Sequence, residues 1–247
     1  MELYIIRHAQ SMNNAFMDDP DKRVADPDLT EVGLKQAQRV AQFLAEEMNL
    51  EELVRYRFDA PERQQHHPHQ LTHVYCSPMY RTLKTALPIS EALDVVPEVW
   101  LDLHEHGGLF IENGNGIIEG DPGLTRSQIL AEFARYMLPD NITETGWWDP
   151  AAGREDPSLA SARAIRVAGT LRNRAMDEAT ANDKIALVSH GMFIDSLLKA
   201  LWNALPNDTH YFNHYNTAVT RVDFHNNGLL SFRYVNRVTH LTPDLIT

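Results

Sequence analysis

The chain has 247 residues, of which 43% are hydrophobic and 23% charged, and its formal net charge is −12 with histidine neutral. This balance is typical of a globular protein and excludes collagen-like, fibrous and wholly disordered chains. The negative charge disfavours binding to nucleic acid or to anionic membranes. An anionic substrate would therefore need a pocket in which a few Arg and His side chains act against the overall field.

The start of the chain and its cysteine content bear on location. The opening segment 1–7 has no basic region followed by a long apolar one, and no apolar run approaches the roughly 18 residues of a membrane helix. We therefore expect a cytoplasmic protein with no membrane partner. Cys76 is the single cysteine, which excludes an internal disulfide and a thiolate zinc site, and we expect it to be buried as a small hydrophobe. The oligomeric state stays open, because no heptad pattern is present.

Short apolar runs alternate with helical patterns along the chain. Strands are predicted at 3–6, 72–76, 95–99 and 185–188. Helices are predicted at about 34–44, 125–136, 158–179 and 193–201, and a further helix is predicted to begin at Ser77–Pro78. The pair Ser77–Pro78 is a good N-cap and first turn for the helix that carries Arg81. The alternation favours an α/β domain with a parallel sheet. The chain then ends in a hairpin of 219–224 and 229–234, where Asn227–Gly228 suits a primed turn.

Two stretches interrupt the alternation, and we interpret both as insertions in a single domain of residues 1–247. The first, about 51–71, has little to bury and is predicted to be a surface loop. The second, about 104–157, holds most of the glycines and one clear helix, and is predicted to form a cap over the site. Its Trp147–Trp148 pair suits either the rim of a pocket or the packing of the cap.

Two predicted strands deliver a histidine at their carboxyl ends. His8 follows the first strand and His190 follows the strand 185–188, while Arg81 lies on the helix after the second strand. Ligands of parallel sheets bind at this edge, so Arg7, His8, Arg81 and His190 are expected to converge. Guanidinium groups match phosphate oxygens, and a neutral imidazole is a competent nucleophile. The set therefore indicates a phosphoryl site without a metal or other cofactor.

Four motifs in order carry a resemblance to a known family. The segment 7–14, Arg-His-Ala-Gln-Ser-Met-Asn-Asn, resembles the Arg-His-Gly-Glu-Thr/Ser signature of the histidine phosphatase superfamily, branch 1, which is phosphoglycerate mutase-like. Segments 28–37, 77–86 and 189–191 resemble its further motifs. The resemblance implies a three-layer α/β/α sandwich with a mostly parallel central sheet.

The resemblance also implies roles for individual residues. His8 would attack phosphorus and form a phosphohistidine, while Arg7, Arg81 and His190 would bind the phosphoryl oxygens. Glu105 is the candidate acid that protonates the leaving group, with Asp102, Glu112 and Glu119 as nearby alternatives. The residues expected to contact the substrate are Asn14, Gln10, Ser11 and Gly191, although Asn14 also suits a loop cap.

The sequence departs from the family pattern at Ala9 and Gln10, which replace a glycine and an acid. After the second histidine, 192–194 is Met-Phe-Ile, whereas the mutases have asparagine and serine there. An apolar rim favours a phosphatase of the histidine acid phosphatase type, acting on a small phosphorylated substrate with an organic part. The alternatives are phosphoglycerate mutase-type transfer, a catalytically weak scaffold, and a zinc hydrolase built on His104 and His106 or on the His-rich stretch 66–69.

Overall fold

The computed structural model describes residues 1–17, 19, 22–46, 71–112, 116–207 and 209–247. The strands are β1 (Glu2–Arg7), β2 (His73–Cys76), β3 (Pro97–Val99), β4 (Phe110–Glu112), β5 (Ile118–Gly120), β6 (Lys184–Ser189), β7 (Val219–Phe224) and β8 (Leu230–Arg237). The main sheet has the order β3-β2-β6-β1-β7-β8, and its first four strands are parallel. The last two strands are antiparallel to their neighbours. The prediction of a mostly parallel sheet is confirmed.

Helices cover both faces of this sheet. They are α1 (Met12–Ala15), α2 (Glu31–Glu46), α3 (Tyr80–Leu93), α4 (Arg126–Glu132), α5 (Pro157–Met176) and α6 (Gly191–Leu201). Successive side chains of β1 alternate between two cores: Ile6 packs with Val40 of α2 and Leu83 of α3, whereas Ile5 packs with residues of α5 and α6. A strand buried on both faces is expected to read as a continuous apolar run, as this one does. The α/β/α sandwich is thereby confirmed, and Cys76 is buried in it.

Local chemistry moved two predicted boundaries. Helix α3 begins at Tyr80, and its N-cap Met79 makes no side-chain cap. The carboxylate of Asp26 accepts the Tyr80 N–H at 2.9 and 3.0 Å instead, so a distant segment supplies the cap. The prediction of a Ser77–Pro78 cap was therefore wrong. Helix α4 ends at Glu132, so the prediction of a helix that reaches residue 136 was too long.

The hairpin turn between β7 and β8 also differs from its prediction. A primed two-residue turn needs positive φ at both central residues, but within 225–229 only Gly228 has a positive φ, of 81°. The N–H of Gly228 donates to the carbonyl of His225, and the N–H of His225 donates to the carbonyl of Leu229, each at 2.9 Å. This is a three-residue loop that closes with a left-handed glycine.

The structure describes most of the second predicted insertion and almost none of the first. Nearly all of the stretch 51–71 lies outside the described residues, so a surface loop there stays a prediction. The stretch 104–157 contains the β4–β5 hairpin and α4, whose N-cap Thr125 forms a capping box with Gln128. Among the described helices, none is long and apolar enough to cross a membrane.

Gly33 lets α2 approach the loop that follows β1. A Cβ built on Gly33 would lie 2.2 Å from the carbonyl oxygen of Gln10, whereas a Cβ on Gly169 of α5 would meet nothing within 4 Å. We expect Gly33→Ala to lower the free energy of unfolding by roughly 1–3 kcal/mol, because the loop must move. The matched change Gly169→Ala is expected to raise it by about 0.5–1 kcal/mol through helix propensity. Urea unfolding measures both, and a Gly33→Ala protein as stable as Gly169→Ala would contradict the close approach.

Candidate active site

Four parallel strands bring the candidate residues to one edge of the sheet. His8 follows β1, His190 follows β6, Arg81 lies in the first turn of α3 after β2, and Glu105 follows a short 3-10 turn after β3. The rings of His8 and His190 lie 5.1 Å apart between centroids. The carboxyl ends of parallel strands are the usual place for such a set.

His8 is held as a neutral imidazole with one nitrogen left over. It is 3% exposed, and its Nδ1 lies 2.7 Å from the carbonyl oxygen of Ala9, so Nδ1 carries the proton that makes this bond. Burial, followed by the nearby Arg81 and Arg7 charges, lowers the pKa of His8 well below 6.5. The lone pair of Nε2 is consequently available at neutral pH.

The loop that carries His8 is fixed by three distant segments. The His8 N–H donates to the Ser189 carbonyl at 2.8 Å, and the Ala9 N–H donates to Thr85 Oγ1 at 3.0 Å. The side-chain amide of Asn216 donates to the His8 carbonyl at 2.9 Å. Asn216 is 2% exposed and was missed by the sequence analysis, since a lone Asn before a strand carries no signal of this contact.

His190 is fully buried and also neutral. Its Nε2 lies 2.8 Å from Ser77 Oγ, which is the actual role of the serine that was expected to cap α3. Its Nδ1 is buried without a hydrogen-bond partner in the described part of the chain. Burial and then Arg81 and His8 lower its pKa well below 6.5. A buried ring nitrogen of this kind requires a partner from a ligand or a water.

The two arginines bring positive charge to the same place. Arg81 is 9% exposed and lies 3.8 Å from Asp26, whereas Arg7 donates through one terminal nitrogen to the carbonyl of His214. The Nε of Arg7 is buried and has no partner within the described residues. Burial lowers the pKa of both guanidinium groups, and the Glu105 carboxylate opposes that shift in each case. Unsatisfied donors on buried cations fit an anionic ligand.

Glu105 is positioned by the start of α6 and by α5. Its carboxylate accepts the N–H of Phe193 at 2.9 Å and that of Met192 at 3.3 Å. Arg163 of α5 is 2% exposed and donates to the carbonyls of Asp102 and His104 at 2.7 Å each, which fixes the backbone on the N-terminal side of Glu105. The alternative acid Asp102 instead pairs with the exposed Arg166 at 3.4 Å.

The loop residues expected to contact substrate make contacts with one another. Ser11 is the N-cap of α1, and Asn14 completes a capping box with it. Asn14 Oδ1 also accepts from Asn216 at 3.2 Å. The side-chain carbonyl of Gln10 accepts from Thr30 Oγ1 at 2.6 Å. These contacts show the cap role that was left open for Asn14; substrate contact by Ser11, Asn14 and Gln10 stays a prediction.

Gly191 lies where two site residues meet. A Cβ on Gly191 would be 3.3 Å from the hydroxyl of Tyr211 and 3.5 Å from the Nε of Arg7. The absence of a side chain therefore keeps open the space beside the buried Arg7 donor. Tyr211 was not predicted, since nothing in its sequence context distinguishes it from a surface tyrosine.

Comparison with known proteins agrees with this geometry. The model of the histidine phosphatase superfamily (branch 1) matches residues 3–55 and 60–237. The chain belongs to this superfamily. No curated protein sequence gives a match.

Solved structures show the same histidine phosphatase fold. A phosphoserine phosphatase from Entamoeba histolytica is 21% identical, with 98% of this chain and 99% of that chain covered and a TM-score of 0.57. A mycobacterial glucosyl-3-phosphoglycerate phosphatase is 21% identical, with coverage of 96% and 99% and a TM-score of 0.53. An ecdysone phosphate phosphatase from Bombix mori is 13% identical, with coverage of 98% and 95% and a TM-score of 0.62.

The rim of this histidine phosphatase differs from the sequence prediction. Phe193 and Ile194 are fully buried in the core between α6 and the sheet, and only Met192 is half exposed. Trp147 and Trp148 both pack against the His104 ring, with centroids 5.7 and 5.2 Å away. The interpretation of 192–194 as an apolar rim was therefore wrong beyond Met192, because the third and fourth residues of α6, Phe193 and Ile194, face the core.

The histidines considered for zinc have other contacts. His104 Nδ1 lies 2.7 Å from the Leu101 carbonyl, and His106 Nε2 lies 3.0 Å from Ser196 Oγ. Across the described ranges, no group of three or more His, Cys, Asp or Glu residues is arranged to hold a metal ion. The stretch 66–69 lies outside those ranges.

The buried neutral histidines predict how stability changes with pH. The lowered pKa of His8 means that the unfolded chain takes up a proton on this residue at a higher pH than the folded state does. As the pH falls through 6.5 the folded state therefore loses stability. We expect His8→Asn to make the loss of stability between pH 8 and pH 5 smaller. Urea unfolding at both values measures it, and an unchanged pH dependence would contradict a neutral His8.

Proposed function

We propose that this histidine phosphatase hydrolyses a small phosphomonoester through a phosphohistidine on Nε2 of His8, without a metal. The observation that carries the proposal is a buried neutral His8, 5.1 Å from the His190 ring, near two buried nitrogens that have no partner among the described residues, Arg7 Nε and His190 Nδ1. A phosphoryl group would accept from Arg7 Nε, and from His190 Nδ1 in the tautomer in which Nε2 accepts from Ser77 and Nδ1 carries the proton. Arg81 and the substrate contacts assigned to Asn14, Gln10, Ser11 and Gly191 would complete the site.

The proposed reaction has two displacements at phosphorus. In the first, Nε2 of His8 forms a bond to phosphorus while the ester P–O bond breaks, and Glu105 gives its proton to the leaving oxygen. In the second, Glu105 takes a proton from water, whose oxygen forms a new bond to phosphorus as the P–N bond breaks. Arg7, Arg81 and His190 would hold the phosphoryl oxygens through both steps.

The similar structures support a phosphatase rather than another member of the family. Those named above are phosphatases of phosphoserine, glucosyl-3-phosphoglycerate and ecdysone phosphate. All three of those substrates are phosphate esters of small organic molecules. A histidine acid phosphatase-type monoesterase with a small phosphorylated substrate is the activity we infer for this chain.

Hydrolysis of 4-nitrophenyl phosphate in the presence of a chelator tests the proposal. We expect turnover that the chelator does not reduce. Loss of turnover on chelation would contradict a metal-independent route. Incubation with 3-phosphoglycerate and its bisphosphate primer tests the mutase alternative, and isomerisation faster than hydrolysis would overturn the phosphatase assignment.

A further inference from the structure

A cleft of about 550 Å³ runs along the exposed face of α6, and we call it the α6 cleft. One wall is the stripe of α6 formed by Met192, Ser196 and Ala200, and the facing wall is the first half of α5, with Ser158, Ser161 and Ile165. The third side is closed by Ala204, Pro206, Asn207, His210 and Tyr211. This volume is within the range of pockets that enclose drug-sized ligands.

One end of the α6 cleft meets the candidate active site. Tyr211 lines the cleft. Its hydroxyl and Arg7 Nε both lie next to Gly191, at 3.3 and 3.5 Å from the position that a Cβ on Gly191 would occupy. Met192 lines it too, and the Met192 N–H donates to the Glu105 carboxylate. The cleft therefore begins on the side of the site where Glu105 lies. In an in-line displacement the leaving oxygen departs opposite the nucleophile and needs the acid beside it.

Apart from Arg154, the Asp, Glu and Lys side chains in the walls have partners of opposite charge. Asp195 and Lys199 are both buried and pair at 2.7 Å, and Lys199 also donates to the carbonyl of Asn207 at 2.8 Å. Glu155 pairs with Arg163 at 2.7 Å. Arg154 is the exposed cation at the rim, over the ring of Phe110. Because the acidic groups and Lys199 are paired and Arg154 is the one described cation of the lining without such a pair, most of the cleft surface favours a neutral organic group.

The remaining wall surface mixes hydroxyl groups with apolar faces. Ser158, Ser161 and Ser196 bring hydroxyls to the walls, while Ile165 and Met192, about half exposed, bring apolar surface. The Ser158 and Ser161 hydroxyls already donate to Asp156 and to the Pro157 carbonyl, so they offer a ligand acceptor oxygens. A ligand that satisfies both kinds of surface carries hydroxyls on a hydrocarbon frame. The stripe from Met192 to Ala200 covers eight residue steps of helix, or about 12 Å. That length is greater than serine or glycerol can fill.

We propose that the α6 cleft is the subsite for the leaving group of the phosphate ester, and that it takes a neutral, polyhydroxylated organic group up to about 12 Å long. This inference rests on the proposed function, because a leaving group exists only if the chain cleaves a phosphate ester. Tyr211 and Met192 stand at the junction of the two sites. The ester oxygen would lie near Glu105, and the rest of the group would extend along α6.

Four substrates and three variants test the subsite; the fourth substrate is O-phosphoserine, whose leaving group carries an ammonium and a carboxylate group. Trehalose 6-phosphate and glycerol 1-phosphate both release a primary alcohol, so they differ mainly in the length of the leaving group, while 4-nitrophenyl phosphate reports phosphatase activity as such. Ser161→Trp fills the cleft from α5. Ala162→Trp places the same side chain one residue further on, at an exposed position outside the cleft lining. Ser161→Phe is a smaller plug, in case the tryptophan variant does not fold.

We expect kcat/KM of the unmodified protein to be about tenfold or more higher for trehalose 6-phosphate than for glycerol 1-phosphate. Ser161→Trp is expected to remove that preference and to leave kcat/KM for glycerol 1-phosphate within about twofold of the unmodified protein. Ala162→Trp is expected to leave kcat/KM for both substrates within about twofold, so that the preference remains. If the protein hydrolyses 4-nitrophenyl phosphate but does not prefer trehalose 6-phosphate over glycerol 1-phosphate, the subsite is overturned and the proposed function stands. The same holds if Ser161→Trp does not change that preference. If the protein instead prefers O-phosphoserine and Ser161→Trp removes that preference, the proposal that the cleft takes a neutral leaving group is overturned. No turnover of any ester overturns the proposed function and the subsite with it.

Discussion

His8→Ala is expected to lower kcat for 4-nitrophenyl phosphate by about 10⁴-fold or more, because the variant has no atom that can form the covalent intermediate. The neighbouring His190 is not expected to replace it, since its Nε2 lone pair accepts from Ser77 Oγ in the tautomer in which Nδ1 carries the proton, and a protonated Nδ1 has no lone pair to offer. Initial rates at saturating substrate measure the effect. The fold is expected to persist, because the loop is held mainly through the backbone of His8 and Ala9.

A control separates this loss from a general effect of removing a histidine. His225→Ala removes a partly buried histidine of the β7–β8 turn, where its Nε2 lies 2.8 Å from Ser231 Oγ, and we expect it to keep full activity. Quenching the unmodified protein during turnover is expected to trap an acid-labile, base-stable phosphoryl group on His8. Residual activity of His8→Ala within about tenfold of the parent would rule out His8 as the nucleophile.

The sequence predicted the sheet edge well because the relevant signals are local. A fully buried parallel strand is a run of apolar residues, and the polar residue that ends it is visible next to the run, as with Ile6 before Arg7 and Val188 before Ser189. The general architecture follows from the alternation of such runs with helical stripes. The parts of the site that depend on one strand end and the first turn after it could therefore be predicted from the sequence.

The contacts that support the site could not be predicted from the sequence, because they join residues that are far apart in the chain. Asn216 reaches the His8 carbonyl across 208 positions, and Arg163 reaches the backbone of Asp102 across 61. Neither residue type in its own context distinguishes such a contact from a surface position. Asp26, which caps α3 and faces Arg81, is a third example. Ser77 shows the reverse error: it was predicted to be the N-cap, but the helix begins later, and the Ser77 hydroxyl lies 2.8 Å from His190 Nε2 and accepts the N–H of the N-cap residue Met79 at 3.3 Å.

Asp26 illustrates what such a contact does to the electrostatics of the site. Burial raises the pKa of Asp26 to about 6, although Arg81 and the Tyr80 N–H both oppose the shift. Below that pH the carboxyl group is protonated, and Arg81 loses the countercharge 3.8 Å away.

Glu105→Gln is expected to separate substrates by the quality of their leaving groups. For an alkyl ester such as O-phosphoserine, kcat is expected to fall by about 10²- to 10⁴-fold, because the alkoxide needs a proton as it departs. For 4-nitrophenyl phosphate the loss is expected to be about tenfold or less, because nitrophenolate is stable without that proton. Glutamine keeps the size of the side chain and an oxygen that can accept the Phe193 N–H, so the start of α6 is preserved.

Two matched variants decide whether Glu105 or a neighbouring carboxyl group is the acid. Asp102→Asn removes the alternative that pairs with Arg166, and Glu119→Gln removes an exposed carboxylate of β5. Both are expected to leave the ratio of the two substrates unchanged. A Glu105→Gln protein that lost activity equally on both esters would show that Glu105 acts by holding the site together. A selective loss in Asp102→Asn would transfer the role of acid to Asp102, which lies on the other side of the Arg163 anchor.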